Sequence, residues 1–310
     1  MSIDVTGFSF SSISTCKSCP RAYKYKYIEQ VPEAFSSIEA HMGSCVHEAL
    51  EWAYAQRQQD HEPTPDMALQ QYKYAWNSGN FDNIRIVKEE KSEKDYFHLG
   101  GEFIVSFFQR VFPYDQSTTL YLEHQFELPL GEEINYRGVI DRIAKEPDGT
   151  LRIIDYKTGR VGHPLDTLQL PSYALYIFQH NIDQQIELCL EDLREARTMV
   201  VPFSRKEAKK VKEELMKEII QIKTTREEDF ITKPSILCLW CGYNHICPNP
   251  HESVNRTGKK ETTVITGEWQ EACPLCGGLL QERMGKFGPF LGCSHFPQCR
   301  YTRDLGVKKT

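Results

Sequence analysis

Ile38, Met42, Val46, Leu50 and Tyr54 recur at steps of four residues, a spacing that lines one face of a helix and predicts a helix over 39–58 with His47 inside it. Helical spacing returns over 66–76 and around 103–111, and the charged segment 88–95 between them reads as a solvated loop. From Leu120 the texture changes to strands over 120–128, 134–144 and 151–155, with Pro147-Asp148-Gly149 turning the second into the third. Leu168, Tyr173 and Ile177 mark a further helix over 168–179, and strands over 186–190 and 199–203 follow. Ser204 with Glu207 forms a capping-box pattern, opening a helix in which Ala208, Val211, Leu215, Ile219 and Ile222 repeat at three and four. Helices around a short mixed sheet give the α/β class.

A chain of 310 residues exceeds one ordinary domain and predicts a large core with a small appendage. After Cys247-Pro248 the stretch 249–266 is polar and has no sustained period, so the expected division is a domain over 1–250, a linker over 251–268 and a cysteine module over 269–310. No internal repeat or low-complexity tract is visible. Neither a basic-then-apolar leader nor a run of about 18 apolar residues occurs, so no membrane association is expected. Most of the 11 cysteines sit in closely spaced groups, which is metal-ligand spacing in a reducing compartment, and the cytoplasm is the expected location. The net charge of -6 argues against a protein that coats nucleic acid by bulk attraction. Residues 251–310, however, carry nine Lys and Arg against six Asp and Glu, so the tail is +3 and the rest is -9. A tail of opposite sign suits an auxiliary nucleic-acid contact.

The strand Leu151-Arg152-Ile153-Ile154-Asp155 runs on into Tyr156-Lys157-Thr158-Gly159, and strand alternation puts Asp155 and Lys157 on one face. One hairpin earlier Asp141 stands in the apolar strand Gly138-Val139-Ile140-Asp141-Arg142, where an unpaired charge is costly. Two acids converging there call for a divalent cation, and a lysine beside them can position the attacking water or stabilise developing phosphate charge. The simpler alternative is a strand-end ion pair of Asp155 with Lys157, and Asp141 paired to Arg142 or another cation.

Taken together, these strings resemble the PD-(D/E)XK nuclease superfamily in its RecB-like branch, which includes CRISPR-associated and helicase-nuclease exonucleases. Gly43-Ser44-Cys45-Val46-His47 is similar to the branch's helical Gly-x-x-x-His, Gly138 to Asp141 to its Gly-x-x-Asp, and Asp155 to Gly159 to its Asp-Tyr-Lys-Thr-Gly. Gln169 and Tyr173, four apart and so on one helical face, resemble its Gln-x-x-x-Tyr. Ile140 stands where the superfamily's name has proline. The resemblance implies a restriction-endonuclease-like core in which His47, Asp141, Asp155 and the Tyr156 carbonyl bind Mg2+ or Mn2+. It further implies that Lys157 positions the water, that Gln169 and Tyr173 orient the lysine or the DNA backbone, and that cleavage leaves a 5'-phosphate and a 3'-hydroxyl.

Cys238, Cys241 and Cys247 supply three thiolates at two and five intervening residues and need a fourth. Spacing alone does not separate an iron-sulfur cluster from zinc. The resemblance implies a [4Fe-4S] cluster completed by Cys19, with Cys16 as the competing candidate; such a cluster clips together the ends of a long loop. Cys45 and Cys189 read as buried thiols. In the tail, Cys273, Cys276, Cys293 and Cys299 form a four-thiolate zinc signature. The segment resembles the zinc ribbons of bacterial type IA topoisomerases, where Phe287, Phe290 and Phe296 interleaved with Arg283, Lys286 and Arg300 would grip single-stranded DNA.

The expected function is a metal-dependent deoxyribonuclease acting on single-stranded or end-containing DNA in repair, recombination or defence, with a helicase or defence complex as the partner the resemblance implies. The alternative is a nuclease-like scaffold that binds DNA without cutting it.

Overall fold

The computed structural model describes residues 7–79, 81–88, 90–131, 134–180 and 185–250, and in the tail residues 273, 275, 276, 278, 280–285, 288–295, 298, 299 and 301–304. The expected linker over 251–268 and the side chains of Arg283, Lys286, Phe287, Phe290, Phe296 and Arg300 lie outside that description.

The chain begins with β1 (Gly7–Phe8), α1 (Phe10–Ser18) and the single turn α2 (Pro20–Tyr23). Ser9 and Ser12 cap α1 reciprocally, and Cys19, extended before Pro20, ends it. After a π-helical turn over Lys24–Ile28 come β2 (Ser36–Ser37), α3 (Ile38–Arg57), α4 (Pro65–Ser78), β3 (Ile84–Arg85) and α5 (Glu93–Arg110). The sheet is built from β4 (Thr118–Gly131), β5 (Ile134–Lys145) and β6 (Leu151–Lys157), then, after α6 (Gln169–His180), from β7 (Ile186–Asp192) and β8 (Arg197–Phe203). Helix α7 (Arg205–Thr224) follows, opened by the Ser204–Glu207 capping box. In the tail β9 (Leu280–Gly285), β10 (Gly288–Cys293) and β11 (Thr302–Asp304) form an antiparallel sheet in the order β11-β10-β9.

The central sheet runs β1-β5-β6-β7-β8, with β4 on the other edge of β5. It is mixed: β1–β5 and β6–β7 are parallel, while β4–β5, β5–β6 and β7–β8 are antiparallel. Each face has its own core. Ile143, Ile153 and Leu188 join residues of α1, α6 and α7 such as Ile13, Ala174 and Leu215, whereas Ala144, Ile154 and Cys189 join α3, α4 and α5 through Val46, Trp76 and Phe107. Layers of helix on both faces of a mixed sheet match the expected α/β class. No helix of the described residues is long and apolar enough to cross a membrane.

One local expectation and one part of the simpler alternative are corrected. Helix α5 starts at Glu93 rather than near Phe103, so 88–95 is not all loop: Ser92 and Asp95 cap each other at 92–95. The Gly100-Gly101 pair hides the periodicity, yet Gly100 is where α4 and α5 approach, since a Cβ there would collide with the Tyr72 hydroxyl. Secondly, Arg142 does not pair with Asp141. Its guanidinium, 2% exposed, donates to Asp115 Oδ2 at 2.7 Å, Ser117 Oγ at 2.7 Å and Thr119 Oγ1 at 2.8 Å, and stacks 3.6 Å from the Tyr54 ring centre.

Candidate active site

The β5–β6 ladder is short. It joins Arg142 through Lys145 to Leu151 through Ile154, and beyond it the strands diverge. At the fork the Tyr156 N–H, which would otherwise seek a ladder partner, donates to Asp141 Oδ2 at 2.8 Å. The Asp141 carboxylate thus completes the sheet, and the wedge between the strands holds the candidate site.

Helix α3 carries His47 to the fork, with Nδ1 3.5 Å from Asp141 Oδ2. Gly43, one turn earlier, lets the helix approach the following turn, because a Cβ there would lie 3.0 Å from Thr158 Oγ1. Asp155, 1% exposed, has Oδ2 at 2.8 Å from Lys157 Nζ. Strand alternation brings these two side chains onto one face. Lys157 Nζ also donates to Gln169 Oε1 at 2.9 Å, and Gln169 Nε2 donates to Tyr173 Oη at 2.9 Å. The chain Tyr173–Gln169–Lys157–Asp155 therefore fixes the orientation of the amide and, through it, the ammonium. Gly138 makes room for this chain, since a Cβ would meet Phe126 Cε1 at 2.7 Å and Tyr173 Cε1 at 3.2 Å.

One residue escaped the sequence reading. Glu123 lies on β4 between Leu122, which pairs with Arg142, and His124, which pairs with Ile140. Its backbone is left-handed, φ 43, a conformation a non-glycine residue keeps only where the surroundings enforce it. One ligand atom each from His47, Glu123 and Asp141 all lie within 4.8 Å of one another. Burial, then Asp141, Glu51 and Asp155, push the Glu123 carboxyl up to about 7. Burial likewise holds the Asp155 carboxyl up, against the pull of Lys157. Carboxylates gathered in this way repel one another, and a divalent cation among them reverses that cost. The donor set within one ion's reach, the Glu123 and Asp141 carboxylates and the His47 imidazole, fits Mg2+ or Mn2+, whereas Asp155 stands outside this group and pairs with Lys157.

Cys19, Cys238, Cys241 and Cys247 line one cavity of about 220 Å³. Cys16, the competing candidate, packs instead against the core beneath α1. Hydrogen bonds from Arg21 N to Ile231 O, Ala34 N to Gly242 O and Tyr243 Oη to Val31 O zip the amino-terminal segment to 231–243 around these thiols. Among the described residues no three of these sulfurs lie within 4.8 Å of one another, in contrast to Cys273, Cys276, Cys293 and Cys299, which all do. A tetrahedral zinc with bonds of about 2.3 Å holds its thiolates about 3.8 Å apart, close to the 3.6 Å of Cys273–Cys299 and the 3.3 Å of Cys276–Cys293 in the tail. The front quartet shares a cavity whose thiols suit either a cluster or a metal ion. Cys45 and Cys189 are buried, 3% and 4% exposed, and burial pushes both thiols up to about 12.

Residues 7–248 match the family described as the PD-(D/E)XK nuclease superfamily, and residues 270–307 match the topoisomerase DNA binding C4 zinc finger. The chain is 27% identical over 195 residues to a subunit of the ATP-dependent helicase/deoxyribonuclease of Streptococcus pyogenes, 59% of this chain and 18% of that protein. It is 64% identical over 68 residues to DNA topoisomerase 1 of Methanocaldococcus jannaschii, 22% of this chain and 8% of that one. DNA topoisomerase 1 of Campylobacter jejuni is 54% identical over 54 residues, 17% of this chain and 7% of that protein. The chain thus spans less than a fifth of the length of each of these relatives.

Proposed function

The chain belongs to the PD-(D/E)XK nuclease superfamily and ends in a topoisomerase-type zinc ribbon, and from that premise we propose that it is a deoxyribonuclease dependent on Mg2+ or Mn2+. The observation that carries this reading is the cluster of His47, Glu123 and Asp141 at the fork of the sheet, with the Asp155–Lys157 ion pair on the adjoining strand. His47, Glu123 and Asp141 would hold the cation, with Asp155 and the Tyr156 carbonyl as further ligands. When bound, the cation supplies Lewis acidity and a water of lowered pKa. Lys157, steered by Gln169, orients the attacking water and offsets charge growing on the phosphate, and Tyr173 keeps Gln169 from rotating. Hydrolysis leaves a 5'-phosphate and a 3'-hydroxyl. The helicase/deoxyribonuclease similarity supports DNA as substrate and a helicase as a partner, and the ribbon supports a second grip on single-stranded DNA. The domain over 1–250, the linker over 251–268 and the ribbon over 269–310 are the corresponding division of labour.

Incubation of labelled single-stranded and double-stranded DNA with Mn2+, Mg2+ or a chelator tests the reading. Cleavage that needs the cation is expected; DNA binding without turnover in either metal would establish the scaffold alternative instead.

The convergence of Cys19, Cys238, Cys241 and Cys247 on one cavity, in the order that resembles the RecB-like branch, supports a [4Fe-4S] cluster there, clipping together segments more than two hundred residues apart. Anaerobically purified protein is expected to be brown and to contain iron beside one zinc, and Cys241→Ser to lose the iron while keeping the zinc. Elemental analysis showing two zinc ions and no iron would overturn this assignment.

A further inference from the structure

Of the four tail cysteines, Cys273, Cys293 and Cys299 are buried and Cys276 is exposed. Because a thiolate must stay deprotonated to hold a metal, the exposed sulfur is the ligand that a proton or a competing chelator reaches first. It is the weak corner of the site.

His295 touches three of these four residues. Its N–H donates to Cys293 Sγ at 3.4 Å, its carbonyl accepts from the Cys299 N–H at 3.0 Å, and its Nδ1 lies 3.7 Å from Cys276 Sγ. The first two contacts are made by the backbone, which any residue supplies, whereas the third is made by the imidazole. A metal-bound thiolate has no proton to give, so Nδ1 is the donor and the ring carries a hydrogen there.

The ring has room because Gly278 lies beneath it. A Cβ at that position would stand 2.9 Å from His295 Nδ1 and 3.1 Å from Cys293 Sγ, and the Gly278 carbonyl accepts from the Cys273 N–H. The imidazole thus rests on bare backbone of the knuckle itself. Four thiolates outweigh one divalent zinc in charge, and a donor aimed at the outermost sulfur spreads that excess and fixes the direction of its lone pairs.

We propose that His295 is a positioning residue of the ribbon's zinc site: its Nδ1–H holds the exposed Cys276 thiolate in place, and retention of the metal depends on that hydrogen bond. The cysteine pattern alone does not contain this role, since His295 supplies no ligand.

The test uses the full chain as purified, challenged with chelators of graded affinity, with the zinc retained counted per protein. His295→Leu, which keeps the bulk and removes the donor, is expected to hold zinc about tenfold more weakly, the lower end of what loss of an outer-shell partner costs. His295→Asn is expected to recover most of that loss, because its amide nitrogen is as many bonds from the backbone as Nδ1 and also donates. A second readout separates hydrogen bonding from packing. With Co2+ exchanged for the ribbon zinc and the zinc-loaded spectrum subtracted, the thiolate-to-metal charge-transfer band should move to longer wavelength in His295→Leu, since a sulfur relieved of its donor gives up charge more readily. In His295→Asn it should stay in place. Equal zinc retention in wild type and His295→Leu, or equal loss in His295→Leu and His295→Asn, overturns the proposal. Should His295→Leu take up no metal at all, the asparagine variant still decides: zinc held nearly as in the wild type supports the hydrogen bond, and zinc lost as in His295→Leu refutes it.

Discussion

Lys157→Ala is expected to lower kcat at least about a thousandfold while leaving KM for DNA nearly unchanged, since the ammonium acts on the water and on charge that grows only in the transition state. Asp155→Asn is expected to cost as much, and the double variant little more, because residues that act as one unit are not additive. Their effects on stability should differ in sign. Asp155 is buried and its carboxyl is pushed up by burial and by neighbouring Asp141. Removing its charge relieves repulsion with Asp141, so in chelator Asp155→Asn should melt at or above the wild-type temperature. It should also lose the rise in Tm that Mn2+ gives the wild type, because that rise measures cation binding to the folded state. Lys157→Ala strips Asp155 of its ion pair at 2.8 Å and should melt lower. Thermal scans with Mn2+ and with chelator, alongside single-turnover cleavage, check this. An Asp155→Asn variant that cuts at near wild-type rate would remove the proposed chemistry.

The second large effect concerns Arg142. Replacing it by Met is expected to destabilise the protein by about 3–5 kcal/mol, the usual cost of leaving one partner of a buried pair behind, here Asp115. For a domain of this size that corresponds to a fall in Tm of roughly 10 °C. Burial alone would raise the Asp115 carboxyl, but Arg142, Ser117 and Tyr54 outweigh it and hold it at about 2. A depressed folded-state pKa stabilises above the unfolded value, about 3.9, and that contribution disappears as pH falls from about 4 to about 2. Wild-type stability should therefore drop across this window, and in Arg142→Met, where the guanidinium no longer holds the Asp115 carboxyl down, that drop should shrink or disappear. Arg142→Met combined with Asp115→Leu should recover much of the difference, since an apolar pair leaves no buried charge uncompensated. Denaturation at several pH values measures all three. An Arg142→Met protein as stable as the wild type would mean that the network contributes nothing.

Legibility in the sequence followed the range of the interaction. Asp155 and Lys157 share a face because strand alternation is local, and Gln169 and Tyr173 hydrogen-bond because residues four apart on a helix are neighbours. The start of α5 was hidden by Gly100-Gly101, the first of which lacks a side chain where Tyr72 on another helix touches it. Glu123 was hidden more deeply. In the apolar alternation of its strand it looks like Glu127, which is exposed. Facing Asp141 depends on the hairpin register, which shifts between Pro129 and Gly131, and on a left-handed φ that no residue preference announces.

What the order of residues decided by itself was the set of elements, the pairing of acid with lysine on one strand and the four-thiol knuckle of the tail, because each follows from repeat lengths of two to four residues. The convergence of β4, β5, β6 and α3 on one fork and the gathering of Cys19 with Cys238, Cys241 and Cys247 around one cavity were decided only by the tertiary structure. Those contacts join segments far apart in the chain, and their geometry comes from how two cores pack on opposite faces of a sheet, which no local pattern encodes.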